Sequence, residues 1–190
     1  MAAGERLGYT IFLCGESMEQ KMAFLEAHGA ATAGHGVGTL MEHLQGVHAL
    51  LVGYGAREAV CDAGLFHSVY GTESYQAQTI PDTLRPQVVA LIGAEAERLA
   101  RLFGVMNKAS FYALLVAGEG RMLHRQTGEE IPLSREDVSD LCDMVVANWL
   151  EQRPRAPEQY QRIREAEFRE MLPLLIPGSR AALKVAYGFD

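Results

Sequence analysis

Apolar residues recur at three- and four-residue intervals through most of this chain, and that period confines it to a helical architecture. The spacing predicts helices near residues 17–29, 37–54, 56–68, 82–106, 135–152 and 157–171, with a short one near 179–186. The punctuation agrees. Gly34, Gly36 and Gly38 separate the first two segments, Gly53 and Gly55 close the second, and Pro81-Asp82 opens the fourth. Ser134 followed by Asp137 reads as an N-cap with an acidic third position. Only Arg121 to Leu133 breaks the pattern, as two short runs around Thr127-Gly128 that suit a surface β-hairpin. The expected fold is all-α, a single domain over residues 1–190. It is a helical bundle with one small β-hairpin, its core at about 17–152, followed by an amphipathic helical appendage at 156–190.

With 48% apolar residues, a chain of 190 residues buries the core of one domain. A formal charge of −7 without any basic stripe excludes a nucleic-acid surface, which needs clustered Lys and Arg. The apolar stretch from Tyr9 to Cys14 is too short for a signal core, and no segment reaches the roughly 18 apolar residues of a membrane span. The expectation is a soluble cytoplasmic protein with no membrane partner. Cys14, Cys61 and Cys142 are scattered and odd in number, so neither a disulfide framework nor a thiolate zinc site is indicated. Cys61 and Cys142 read as small buried hydrophobes.

Projection at about 100° per residue shows which polar groups each helix forces inward. In the segment 37–54, Leu40, Leu44, Val47, Leu50 and Leu51 share one face with His43, while His48 lies at its edge. His67 ends the next apolar segment, 24 positions after His43. On 82–106 the same projection centres Glu95 among Val88, Leu91, Ile92, Leu99 and Leu102, and turns Glu97 to solvent. A lone inward carboxylate needs a metal, a basic partner or a raised pKa. Arg57 or Arg98 are the alternative partners for Glu95. On 135–152, Asn148 and Gln152 stand at the edge of the apolar face, where they can line a pocket rim, and Asp140 and Asp143 point outward. One histidine on an apolar face is more often a hydrogen-bonded core residue than a ligand. Two on consecutive helices, with an inward Glu, favour a shared metal.

The loop after His67 is dense in polar groups. Ser68, Tyr70, Thr72 and Glu73 put hydroxyls, a phenol and a carboxylate beside the helix end, as a substrate-facing loop requires, although Thr72 through Tyr75 also suits a simple turn cap. His35, between Gly34 and Gly36, stands just before the second helix, where it can swing to a metal.

The segments Gly38-Thr39-Leu40-Met41-Glu42-His43-Leu44 and Leu65-Phe66-His67-Ser68 resemble the opening of HD-domain proteins, a superfamily of metal-dependent phosphohydrolases that also includes some diiron oxygenases. In that superfamily an inward helix His, a later His-Asp pair and a downstream Asp hold the metal. The resemblance implies an HD-like helical fold, with His43 as the first ligand and His67 as the second. Ser68 replaces the aspartate of the pair. Ala96-Glu97-Arg98-Leu99 is similar to the superfamily's Ala-Asp-Arg-Leu and nominates Glu97 as the downstream acid, where the helix projection nominates Glu95. A longer pattern, running from His35 to Leu99, resembles an uncharacterised bacterial family of about this length and extends over residues 20–152.

The inward histidines point to a metal-dependent enzyme, and the resemblance implies that it is a hydrolase of a small phosphorylated or nucleotide-like substrate. Mn²⁺, Fe²⁺ or Zn²⁺ would sit on His35, His43, His67 and Glu95, and Tyr70, Thr72 and Glu73 would serve the chemistry. Two alternatives stand beside it. One is a non-heme iron oxygenase on two His and one Glu. The other is a non-catalytic descendant of an HD domain that binds a ligand or a partner, with the C-terminal amphipathic helix as a face for the body of the chain or for a homodimer.

Overall fold

Three helices begin with the same local device. In the computed structural model, which describes residues 17–35 and 38–190, Ser17, Thr39 and Ser134 each cap a helix with their hydroxyl. The third residue on (Gln20, Glu42 or Asp137) returns a side-chain hydrogen bond to the cap's own N–H. They open α1 (Met18–Ala27), α2 (Leu40–Tyr54) and α6 (Arg135–Gln152). Between them lie α3 (Glu58–Phe66), α4 (Arg85–Val105) and a five-residue α5 (Lys108–Tyr112), which shows too little periodicity to be read from sequence. The expected hairpin is β3 (Gly120–Leu123) against β4 (Glu130–Leu133), antiparallel, paired from Gly120↔Leu133 to Leu123↔Glu130. A second, two-residue ladder, β1 (Gly34–His35) against β2 (Gly38–Thr39), leads into α2.

The bundle is built on α2, α3, α4 and α6, which pack on one another and bury Leu44, Val47, Leu51, Phe66, Leu99, Phe111 and Leu141. Burial of this kind supplies most of the driving force for folding. The fold is all-α, as the periodicity requires. No helix of the described residues is long and apolar enough to cross a membrane.

The C-terminal region departs from its expected form. The long tail helix of 157–171 is instead a 3-10 turn at Glu158–Tyr160 and a shorter α7 (Glu165–Met171), because Arg164 takes a left-handed conformation at φ 57° and interrupts the run. After α7 the chain forms α8 (Pro177–Tyr187). These elements are part of the core, not an appendage: Phe168, Met171, Leu183 and Tyr187 are buried. α8 packs on α2 and α6, and Gly178 is what allows it, since a Cβ there would stand 2.1 Å from the Tyr54 carbonyl oxygen.

That cover corrects two further expectations. Asp140 and Asp143 are buried, because α6 is enclosed by α2, α3 and α4 on one side and by the C-terminal region on the other. Asp140 pairs with Arg57 at 2.5 Å, and Asp143 accepts the Ile176 N–H at 3.3 Å.

Candidate functional site

α2 and α3 bring their histidines face to face. His43 lies on the buried side of α2, and His67 stands one residue past the end of α3. Both are at most 2% exposed, and their Nε2 atoms are 3.2 Å apart. α6 supplies the third corner: Asn148 Oδ1 lies 3.0 Å from each Nε2. The amide's orientation follows from its neighbour. Gln152 Nε2 donates to the Asn148 main-chain oxygen at 3.0 Å and to its Oδ1 at 3.3 Å, which directs the Asn148 oxygen toward the imidazoles.

The far side of each imidazole is anchored. His43 Nδ1 donates to Glu151 Oε2 at 2.5 Å, and His67 Nδ1 donates to the Gly64 carbonyl at 2.7 Å. Those bonds place the ring protons on Nδ1 and leave the Nε2 lone pairs pointing inward. Burial works to raise the Glu151 carboxyl, but hydrogen bonds from His43 and Arg155 outweigh it and hold the group below its usual range. In their neutral forms, two ring nitrogens and an amide oxygen therefore aim acceptor lone pairs at one point. A proton or a metal ion can bridge atoms at this spacing.

Its dimensions suit a metal. Ligand atoms bonded to one ion at roughly 2.0–2.1 Å and at right-angled to tetrahedral angles lie about 2.8–3.4 Å apart. A carboxylate behind one imidazole and a carbonyl behind the other are the usual supports of metal-bound histidines. Among the described residues no cluster of three or more His, Cys, Asp or Glu is placed to hold a metal. The third donor is an amide, where a facial triad has a carboxylate.

The two candidate carboxylates of α4 lie elsewhere. Glu95 is exposed and pairs with Arg57 at 2.7 Å. Glu97 is the buried carboxylate of α4, 1% exposed; it accepts from Arg85 Nε at 2.7 Å and Nη2 at 3.0 Å, and from the Tyr70 hydroxyl at 3.3 Å. The projection failed because α4 is not continuous: Gly93, at φ 82° and ψ 157°, interrupts the helix and resets the phase of every later residue. The His35 side chain lies outside the described residues.

Beside the triangle is a cavity of about 350 Å³. Its inner wall includes Asn148, Ser68, and Phe103, whose ring stands edge-on to His67 at 5.0 Å. The imidazoles lie one layer behind that wall. The loop after His67 lines it with Thr72, Glu73, Ser74 and Tyr75, and Gln152 borders it as well. Thr72 Oγ1 accepts the Tyr75 N–H at 3.0 Å, so it shapes the loop as a turn cap does. Tyr70 is outside the lining; burial, and then the Glu97 charge, push its phenol up. Sequence reasoning placed Asn148 and Gln152 at the pocket edge but not in the centre itself, since nothing in an Asn marks it as a donor until its neighbours are known.

Over residues 24–108 the chain is similar to a family described as a domain of unknown function, DUF6817. That stretch contains His43 and His67 but ends before α6, which carries Asn148 and Glu151. No curated protein and no solved structure matches the chain.

Proposed function

We propose that this chain is a metal-dependent hydrolase of a small phosphorylated molecule, with the ion held by His43, His67 and Asn148. The observation that carries the reading is the convergence of His43 Nε2, His67 Nε2 and Asn148 Oδ1 at 3.0–3.2 Å, with each imidazole fixed from behind. The resemblance to HD-domain proteins supports it, because the two histidines matched to that superfamily are the two that meet. A divalent Mn, Fe or Zn ion would act there as a Lewis acid toward a phosphoryl oxygen. Glu151 holds the His43 ring in the tautomer that presents Nε2, and the Gly64 carbonyl does the same for His67. Ser68, where HD proteins have their aspartate, borders the cavity and offers a hydroxyl to substrate.

The test is phosphate release from a panel of phosphate monoesters after reconstitution with Mn²⁺, Fe²⁺ or Zn²⁺. Release that requires metal and disappears in His67→Ala and Asn148→Ala is expected. No release with any of the three metals contradicts the hydrolase.

A second reading rests on the 2.5 Å contact between His43 and Glu151, which is an ion pair when both ring nitrogens of His43 carry a proton. Its Nε2 proton would be shared with His67 and Asn148, making the chain a metal-free binding domain. Nitrogen NMR of the imidazoles separates the two, since only this reading places a proton on Nε2.

A further inference from the structure

The cavity carries charge of the opposite sign to the chain around it. Lys108, at the start of α5, and Arg164, just before α7, both line it, against the single carboxylate of Glu73, in a protein of net charge −7. Glu73 is only a loose partner for Lys108: its Oε2 is 3.9 Å from Nζ, while its Oε1 accepts the Lys108 main-chain N–H at 3.3 Å. Lys108 Nζ donates to Ser74 Oγ at 2.5 Å. Burial, and then repulsion from Arg164, lower the lysine's affinity for its proton.

Arg164 is held in place. Its guanidinium lies 5.6 Å over the Tyr112 ring and donates to the Tyr112 hydroxyl at 2.8 Å. It is also the one residue other than glycine, among the described residues, with positive φ. Strain of that kind concentrates at ligand-binding positions. Trp149, Phe168, Ile163 and Phe103 give the cavity apolar surface.

We infer that the cavity binds a small organic anion, its acid group between Lys108 and Arg164 and its apolar body against Trp149 and Phe168. An anion there removes the repulsion between the two cations and is drawn by a local field opposite to the overall charge. The volume suits a small molecule, near the lower end of the roughly 300–1,000 Å³ of ligand pockets. The inference rests on reading this cavity as the substrate site of the histidine centre, and it names the class of molecule that site takes.

Trp149 is the only tryptophan in the chain and lines the cavity, so its fluorescence reports occupancy. Titration would use phenyl phosphate, benzoate, inorganic phosphate and benzylamine, each on metal-free and metal-loaded protein. The expected result is saturable quenching of metal-free protein by phenyl phosphate, benzoate or both, at lower concentration than by inorganic phosphate and without response to benzylamine. Affinity should fall at least tenfold in Lys108→Gln and in Arg164→Gln, and recover in Arg164→Lys. Circular dichroism of each variant confirms folding. Whichever acid binds more tightly identifies the head group. Binding by benzylamine equal to that of the anions overturns the inference, as does anion binding unchanged in both Gln variants. Anion binding that needs the metal but not Lys108 or Arg164 overturns it too, while leaving the histidine centre standing. Binding that survives in metal-free protein supports it even where no metal is found.

Discussion

Glu95 and Glu97 are two residues apart and differ in everything that sets the cost of losing them. Glu95 forms an exposed pair with Arg57, so Glu95→Ala is expected to cost under about 1 kcal/mol by urea denaturation. Glu97 is buried and accepts hydrogen bonds from Arg85 and Tyr70, so Glu97→Ala is expected to cost about 2 kcal/mol or more. Equal losses would contradict the assigned phase of α4. Asp143 offers a second test. Burial pushes its carboxyl from the ordinary 3.8 up to about 6. The folded state therefore holds this proton more tightly than the unfolded one, so the group favours folding at low pH and that benefit is lost as pH rises from about 4 to about 6. A shift of some two units corresponds to on the order of 2–3 kcal/mol. Asp143→Asn keeps an acceptor for Ile176 N–H and should be more stable than the parent above about pH 6, with the gap closing toward about pH 4. A difference independent of pH would contradict the raised carboxyl. At this scale the sequence was a poor guide to the carboxylates, because each projection assumed an unbroken helix with one buried side.

Helix starts were the most legible elements. Ser134 and Asp137 form the cap that their spacing implied, because a cap depends only on neighbours three residues apart. Interruptions were less legible, since their effect is carried down the chain. Gly93, with φ 82° and ψ 157°, occupies a region that only glycine enters readily, so Gly93→Ala is expected to cost on the order of 1–3 kcal/mol. Gly178 is constrained by space, as its missing Cβ leaves room for the Tyr54 carbonyl. Gly178→Ala should lift α8 from α2 and raise amide exchange across residues 177–189 while α3 and α4 remain protected; exchange at parental rates would contradict that packing. Arg164 delays the start of the tail helix to Glu165 for a reason no periodicity records, a left-handed backbone in a residue other than glycine.

The whole bundle is what makes the centre. The period of the apolar residues specified an all-α fold, and the inward faces of two segments specified that His43 and His67 would be buried. Their meeting, and the arrival of Asn148 from α6 more than a hundred residues after His43, depend on how three helices pack. Glu95 was read as a ligand because the projection centred it in an apolar face; the group that meets the two imidazoles is the Asn148 amide. The most direct test is metal content per chain by elemental mass spectrometry, on protein purified without a chelating tag and incubated with Mn²⁺, Fe²⁺ or Zn²⁺. The account predicts a ratio near one in the parent and in His48→Ala, with loss in His43→Ala and His67→Ala. A ratio near zero in the parent, or one unchanged when both His43 and His67 are replaced, would contradict it.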